Sequence, residues 1–344
     1  MLELFKQQAG QSVELTAEQA ATAAGQLLDE SIPAVLKADF LCALARKTET
    51  PAEIAAFAAA LRAKSIIPPI DAATRAGIIL DVCGTGGDRL NTFNISTTVA
   101  LICAAAGVAV AKHGNRAVTS QAGSADVLEA LGIPIELSPE KAALSLREHH
   151  FAFFFAPHYH PAFRHVSEAR KICAARGQRT IFNYLGPLLN PARPNAQLVG
   201  VPRPELCSTL AQVLQSLGVR RAMVVSGRVG DAWLDELSTL GENTLAEFYQ
   251  DHGFTASVIS PSHFPVQPAA LADLAGGDRH ANAEIIRRLL RNEERGPKRD
   301  AVLLNAAAAL FVAGKTKTVT AGWELAARLL TSGQAQAKLE ELTS

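Results

Sequence analysis

The sequence predicts an α/β protein in which a small N-terminal helical bundle precedes a larger domain with a mostly parallel central sheet flanked by helices. Residues 1–65 carry apolar side chains at helical spacing, whereas short apolar runs alternate with helical segments from about residue 77 onward. Strands that are apolar throughout and separated by helices are typical of a parallel sheet covered on both faces.

The N-terminal part contains two capping-box patterns, which mark where helices begin. Thr16 is followed by Gln19, and Thr50 by Glu53. None of these short helices could bury an apolar face alone, so we expect a bundle that ends in a proline-containing linker. We divide the chain into a helical domain of residues 1–70, joined by helices from about 160–190, and an α/β domain of residues 71–344.

The remainder of the chain is assigned to alternating strands and helices. The predicted strands are residues 77–84, 107–114, 151–157, 196–202, 221–227 and 254–260. The predicted helices are residues 95–106, 125–131, 139–148, 160–175 and 204–217, followed by two C-terminal helices at 299–314 and 318–342.

Composition excludes several classes of protein. The 33 basic residues balance 33 acidic residues, so no overall field favours nucleic acid or an anionic membrane. Five scattered cysteines without a C-x-x-C pair argue against a disulfide framework and a structural zinc site. The first ten residues lack the features of a signal peptide, and the apolar runs are too short to span a bilayer. We therefore expect a soluble, cytoplasmic protein without nucleic-acid or membrane partners.

A glycine-rich turn, "DVCGTGGDRLNTFNIST" at residues 81–97, joins a predicted strand to a predicted helix. Glycines let the backbone approach a ligand closely, and the N-terminus of a helix offers free N–H groups with partial positive charge. Together these features indicate a phosphate or pyrophosphate site. The spacing matches neither the P-loop nor the dinucleotide fingerprint. A purely structural tight turn is the alternative.

A second loop, "AKHGNRAVTSQAGSAD" at residues 111–126, also follows an apolar strand. It carries Lys112, Asn115, Arg116, Thr119 and Ser120. Open parallel sheets bind ligands at the carboxyl ends of neighbouring strands, so the two loops are predicted to form one anion site. The alternative is a solvated basic loop.

Two consecutive carboxylates, Asp235 and Glu236, lie in the predicted loop "WLDELSTLGENT". Paired carboxylates beside a polyphosphate are a usual way of holding Mg²⁺, which takes oxygen ligands and shares them with the phosphate. An isolated acidic pair would otherwise be interpreted as solvated surface.

Several motifs, taken in order, resemble those of the anthranilate phosphoribosyltransferase family. They are "GTGGD", "TFNIST", "KHGNR", "GSADVLEALG", "HPA", "TIFNYLGPLLNPA" and "LDELSTLG". The resemblance runs from about residue 70 to the C-terminus and implies a fold of the nucleoside phosphorylase/phosphoribosyltransferase type. It also implies Mg²⁺-dependent transfer of the ribosyl phosphate from 5-phosphoribosyl 1-pyrophosphate (PRPP) to the amine of anthranilate, in tryptophan biosynthesis.

The resemblance implies roles for particular residues. Donor binding is expected from Gly84, Gly87, Asp88, Thr92, Asn94, Ile95, Ser96, Thr97, Lys112, His113, Gly114, Asn115, Arg116, Ala117, Val118, Thr119, Ser120 and Ser124. Anthranilate binding is expected from Gly84, Asn115 and Arg170, and metal binding from Ser96, Asp235 and Glu236. Two Mg²⁺ ions per chain and a homodimer built through the helical region are also implied.

The chemistry of this transfer predicts that no general base is essential. An aromatic amine is largely neutral near pH 7, so the barrier lies in breaking the bond from ribose C1 to pyrophosphate. We expect Lys112 to act electrostatically, by neutralising the leaving group together with Mg²⁺. For "PHYHP", a role of His160 in lining the acceptor channel is favoured over metal binding, because no third ligand lies near in sequence.

Two features depart from the family pattern. The segment between Arg170 and Thr180 is a few residues longer than expected, which bears on acceptor specificity. Arg89 stands where a small residue is frequent in the family. Two other functions remain open from the sequence. One is a pyrimidine nucleoside phosphorylase, and the other is a non-catalytic relative that binds nucleic acid.

Overall fold

The computed structural model describes residues 1–117, 121–249 and 253–344 and begins with four helices. They are α1 (Leu2–Gly10), α2 (Ala17–Leu27), α3 (Ala34–Lys47) and α4 (Pro51–Arg62). Helix α1 packs on α3, and α2 packs on α4. Both predicted capping boxes are confirmed, since the hydroxyls of Thr16 and Thr50 accept from the backbone N–H groups of Gln19 and Glu53.

A single twisted sheet organises the rest of the described chain. Its strands are β1 (Ile79–Gly84), β2 (Ala109–Gly114), β3 (Phe151–Phe155), β4 (Ala196–Gly200), β5 (Arg221–Val229), β6 (Ala232–Leu234), β7 (Asn243–Tyr249) and β8 (Gly253–Ile259). The strand order is β3-β2-β1-β4-β5-β7-β8, with β6 paired to β5. Strands β1 to β5 pair in parallel, whereas β6, β7 and β8 are antiparallel additions. The mostly parallel sheet is confirmed.

Eleven further helices follow in the described chain. They are α5 (Ala72–Ala76), α6 (Ile95–Ala105), α7 (Ser124–Leu131), α8 (Pro139–His149), α9 (Ala156–Tyr159), α10 (Arg164–Ala175), α11 (Leu206–Ser216), α12 (Arg279–Leu290), α13 (Pro297–Val312), α14 (Val319–Thr331) and α15 (Gln334–Thr343). Of these, α6, α8, α9, α11 and α13 pack directly on the sheet. Among them, α6 and α13 pack together and are almost wholly buried.

The two faces of the sheet contribute to different apolar cores. Leu80 and Val82 of β1 belong to the core that includes α6, α7 and α12 to α15. Cys83 of β1 and Val199 of β4 belong to the core formed with α1 to α4, α10 and α11. Helix α10 packs on α3, and α11 packs on α4. The N-terminal helices therefore share an apolar core with one face of the sheet and pack on it through α10 and α11.

Three parts of the predicted secondary structure are wrong or incomplete. The antiparallel strands β6 and β7 were not predicted, because they are short or half-buried and lack a continuous apolar run. Helix α12 was also missed. The single helix predicted for 318–342 is broken in two at Gly333, whose φ of +78° does not fit a right-handed helix.

None of the described helices is both long enough and apolar enough to cross a membrane.

Two glycines offer a matched test of the close packing between β4 and the loop that contains Asp235. A methyl group at Gly200 would overlap the backbone carbonyl oxygen of Asp235, whereas one at Gly25 within α2 would meet no atom within 4 Å. Gly200→Ala should lower the free energy of unfolding by about 1–3 kcal/mol. Gly25→Ala should raise it by roughly 0.5–1 kcal/mol, because alanine favours a helix over glycine. Urea unfolding measures both changes, and equal stability of Gly200→Ala and the unsubstituted protein would contradict this packing.

Candidate active site

The candidate site lies at the carboxyl ends of β1, β2 and β4. Strands β1 and β4 end in register, with Gly84 opposite Gly200. Strand β2 ends at Gly114. The predicted donor-binding residues of the described chain fall in three places: the turn after β1 (Gly84, Gly87, Asp88 and Thr92), the start of α6 (Asn94, Ile95, Ser96 and Thr97), and the end of β2 with the loop that follows (Lys112, His113, Gly114, Asn115, Arg116, Ala117 and Ser124).

The glycine turn after β1 adopts a backbone that most residues avoid. Gly86 and Gly87 have φ values of +77° and +86°, in the left-handed region that glycine enters without steric cost. Arg89 and Asn91 also have positive φ values, of 61° and 53°. Arg89 therefore occupies a turn position, and its side chain is exposed.

Helix α6 begins without a side-chain cap from its own N-cap residue. The side chain of Asn94 is engaged elsewhere, since its Nδ2 donates to the Ala122 carbonyl at 3.3 Å and its Oδ1 accepts from Asn282 Nδ2 at 2.9 Å. The hydroxyl of Thr97 is buried and has no hydrogen-bond partner among the described residues. The start of α6 thus retains unused hydrogen-bonding capacity, as expected of an anion site.

Asp235 and Glu236 follow β6 and contact both the turn and the helix. Asp235 Oδ2 accepts from the Gly86 N–H at 2.6 Å, and Glu236 Oε1 accepts from the Ser96 N–H at 3.1 Å. The absence of a side chain at Gly84 makes room for the Asp235 carboxylate. The structure therefore brings together the glycine turn and the acidic pair. Gly86 and Asp235, which share a hydrogen bond, are 149 residues apart in the sequence.

Both carboxylates lie in an unfavourable environment for negative charge. Burial, followed by the neighbouring carboxylates of Asp88 and Glu236, raises the pKa of Asp235 well above its ordinary value. Burial also raises the pKa of Glu236 to about 7, although Lys112 partly offsets that effect. A cation at this position would stabilise both charged forms.

Lys112 supplies a buried positive charge beside the pair. Its side chain is 1% exposed, and Nζ donates to the Val82 carbonyl at 2.7 Å and to Ser96 Oγ at 3.4 Å. In the described parts of the chain, no carboxylate oxygen lies within 4.0 Å of this ammonium group, so Lys112 has no ion-pair partner there. A buried ammonium held only by neutral oxygens is suited to binding an anionic ligand.

The second loop is closed at its base by Asp126, which sequence reasoning missed. Its Oδ2 accepts from the N–H groups of Ala117 and Gly123 at 2.8 and 2.9 Å. The guanidinium of Arg116 is turned toward α7, where it pairs with Asp126 and Glu129. Three further predicted donor-binding residues, Val118, Thr119 and Ser120, lie outside the described residues.

A row of rings connects the end of β2 to Arg170. The rings of His113 and His160 are 5.3 Å apart, and that of Phe163 lies 5.1 Å from His160 and 5.9 Å from Phe182. The guanidinium of Arg170 stacks 5.5 Å above the Phe182 ring. Arg170 and His160, both expected on the acceptor side, therefore belong to one continuous, partly aromatic wall.

The two histidines of this wall are uncharged near pH 7. Burial, with a contribution from His160, lowers the pKa of His113 to about 3, and burial lowers the pKa of His160 to about 4. His113 Nε2 is buried without a hydrogen-bond partner among the described residues, and a hydrogen bond to the Leu189 backbone only partly offsets the lowered pKa of His160. Neutral rings of this kind suit an aromatic ligand better than a proton-transfer role.

A buried carboxylate beneath the site was also not singled out from the sequence. Asp81 accepts from Asn190 Nδ2 at 2.8 Å, and the same amide donates to the Ala111 carbonyl at 2.7 Å. This network joins β1, β2 and the segment "GPLLNPA". The quoted motifs contained both residues, but only the fold brings them into contact.

The described residues contain no group of three or more His, Cys, Asp or Glu side chains arranged to hold a metal ion. The predicted set of Ser96, Asp235 and Glu236 has two carboxylates and one hydroxyl. That donor set fits Mg²⁺, which takes oxygen ligands and usually completes its shell with water and substrate phosphate.

Two family models match the chain. The model described as "Glycosyl transferase family, helical bundle domain" matches residues 6–65. The model described as "Glycosyl transferase family, a/b domain" matches residues 76–336.

Curated relatives match along most of their length. The anthranilate phosphoribosyltransferase of Lacticaseibacillus paracasei is 44% identical over 328 residues, which cover 95% of this chain and 92% of the relative. That of Desulfosudis oleivorans is 46% identical over 318 residues, with 92% and 89% covered.

Solved structures agree with these relatives. The crystal structure of anthranilate phosphoribosyltransferase from Thermus thermophilus is 41% identical, has a TM-score of 0.88 and is matched over 98% of each chain. The Saccharomyces cerevisiae enzyme in complex with PRPP and Mg is 27% identical, with a TM-score of 0.82 over 95% of this chain and 91% of that one. The chain therefore belongs to the glycosyl transferase family described by the two models and, within it, to the anthranilate phosphoribosyltransferases.

Proposed function

We propose that this enzyme transfers the 5-phosphoribosyl group of PRPP to the amine of anthranilate, giving N-(5-phosphoribosyl)anthranilate and pyrophosphate in tryptophan biosynthesis. The observation that carries the proposal is the convergence of an uncapped helix start, a glycine turn, a buried lysine and the acidic pair of half-buried Asp235 and buried Glu236 at one edge of the sheet. The relatives and structures compared above bear the same enzyme name, which favours this function over a nucleoside phosphorylase or a nucleic-acid-binding protein.

The donor binds between the two loops. Backbone N–H groups of the glycine turn and the start of α6 bind phosphate oxygens, and the unpartnered hydroxyl of Thr97 adds a donor. Lys112 stabilises the negative charge that develops on the leaving pyrophosphate, because its ammonium is buried and has no carboxylate partner within ion-pair distance in the described parts of the chain.

Mg²⁺ is held by Asp235, Glu236 and the hydroxyl of Ser96, and we propose two ions per chain. The fit rests on the raised pKa values of both carboxylates, which reflect buried negative charge that a divalent cation would stabilise. When bound, the metal neutralises charge on the pyrophosphate leaving group.

Anthranilate binds beside the ring wall, with its carboxylate paired to Arg170 and its amine directed to the ribose by Asn115 and the bare backbone of Gly84. A guanidinium can form a bidentate pair with a carboxylate. His113 and His160 remain neutral, and with pKa values of about 3 and 4 they would be weak bases. Rate enhancement therefore comes from alignment and charge stabilisation rather than from a general base.

We also propose that residues 1–70, with helices from about 160–190, form a helical domain distinct from an α/β domain of residues 71–344, and that two copies pair through the helical region. The packing of α10 on α3 supports the first point. The exposed apolar side chains of Leu4 and Val35, 64% and 56% accessible, support the second.

Removing the charges of the acidic pair should abolish metal-dependent turnover. For Asp235→Asn combined with Glu236→Gln, we expect kcat to fall by roughly 10²-fold or more, with an unchanged or higher melting temperature because a buried and a half-buried charge are lost. The control is Glu293→Gln with Glu294→Gln, an acidic pair distant in sequence, which should keep its activity. An unchanged kcat in the first double variant would remove Asp235 and Glu236 from the metal site.

The proposed pairing of two copies can be tested by charge insertion. Leu4→Glu combined with Val35→Glu should shift sedimentation velocity from a dimer to a monomer, because burying two carboxylates in an apolar interface is costly. Leu144→Glu, at an exposed leucine of α8, should leave the dimer intact. A monomeric unsubstituted protein, or a double variant that remains a dimer, would contradict pairing through this region.

A further inference from the structure

We propose that Arg179 is a further donor-binding residue, which contacts the diphosphate of bound PRPP from the segment that connects α10 to residue 180. This inference rests on the proposed function and adds to the donor site a residue from outside the glycine turn, α6 and the second loop. Arg179 lies between Arg170 and Thr180, in the connection that we expect from the family resemblance to be longer than usual.

Arg179 lies directly on the glycine turn. Its side chain is exposed, and Nη2 donates to the Gly87 carbonyl at 3.0 Å. The same nitrogen lies 3.5 Å from the position that a Cβ atom on Gly87 would occupy. The guanidinium therefore covers the turn whose N–H groups are proposed to bind phosphate.

The guanidinium of Arg179 has no ion-pair partner in the described parts of the chain. Among residues 1–117, 121–249 and 253–344, no carboxylate lies within 4.0 Å of its guanidinium, although Asp88 is on the same turn. Its hydrogen bond to Gly87 occupies one of five N–H donors. A guanidinium fork with free donors matches the paired oxygens of a diphosphate.

The segment that presents Arg179 is held on both sides. Arg176 Nη1 pairs with Asp39 Oδ1 of α3 at 2.7 Å, and the Thr180 N–H donates to Asn183 Oδ1 at 2.8 Å. Thr180 is buried. Arg179 is thus an exposed cation between two anchored neighbours, so its guanidinium is already positioned before a ligand binds.

The same segment begins at the acceptor side, since Arg170 stacks on Phe182 just beyond Thr180. One stretch of chain therefore carries a cation for each substrate. Arg170 is assigned to the anthranilate carboxylate and Arg179 to the donor diphosphate. This separation allows the two roles to be distinguished by their effects on the two substrates.

The test measures binding of PRPP with Mg²⁺, and of pyrophosphate with Mg²⁺, by calorimetry, together with steady-state KM values. Arg179→Gln should raise Kd and KM for PRPP by about tenfold and leave KM for anthranilate unchanged, because one charge-assisted contact is lost. Arg179→Lys should recover part of the loss. Arg170→Gln should show the opposite pattern, with KM raised for anthranilate.

Lys171→Gln is the control, since Lys171 is an exposed cation of α10 that already has a carboxylate partner, Glu168 at 3.3 Å. It should bind PRPP like the unsubstituted enzyme. Unchanged PRPP and pyrophosphate binding in a folded Arg179→Gln variant would overturn the assignment, as would equal losses for both substrates together with a lower melting temperature. An unsubstituted enzyme that binds neither PRPP nor anthranilate would instead overturn the proposed function.

Discussion

The site depends on the contact of two adjacent carboxylates, those of Asp235 and Glu236, with the glycine turn and the first turn of α6. Asp235 accepts from Gly86, and Glu236 accepts from Ser96. These bonds join the loop after β6 to the strand–turn–helix unit at the centre of the sheet. The contact is possible because Gly84 and Gly200 carry no side chain where the Asp235 residue approaches. The two glycines therefore determine where the negative charge of Asp235 can lie.

The contact of Asp235 and Glu236 with the glycine turn and α6 also explains the electrostatics of the site. Burial raises the pKa of Asp235 and of Glu236, and Asp88 adds to both shifts, while Lys112 is a buried cation that contacts only neutral oxygens among the described residues. Lys112 offsets only part of the rise in the pKa of Glu236. In the proposed function, a magnesium–pyrophosphate ligand would supply a cation for the acids and an anion for the lysine. The same residues would then stabilise the charge that develops as the bond to pyrophosphate breaks.

The sequence predicted those features that local chemistry determines. Apolar strands of β1 to β5, the turn at Gly86 and Gly87, and the capping boxes all have short-range signals, and each is present. Half-buried β7 and the helix break at Gly333 were not predicted, because their apolar pattern is compatible with other structures. Contacts such as that of Arg179 with Gly87 join residues far apart in sequence and required the fold.

The most direct test of the account follows anthranilate fluorescence after addition of PRPP and Mg²⁺, with a parallel reaction containing EDTA. We expect a decrease in fluorescence that requires Mg²⁺ and stops in EDTA, because the acidic pair and the pyrophosphate are proposed to share the metal. No decrease while PRPP still binds would indicate a different amine acceptor. A decrease that persists unchanged in EDTA would contradict the central role given to the acidic pair and its metal.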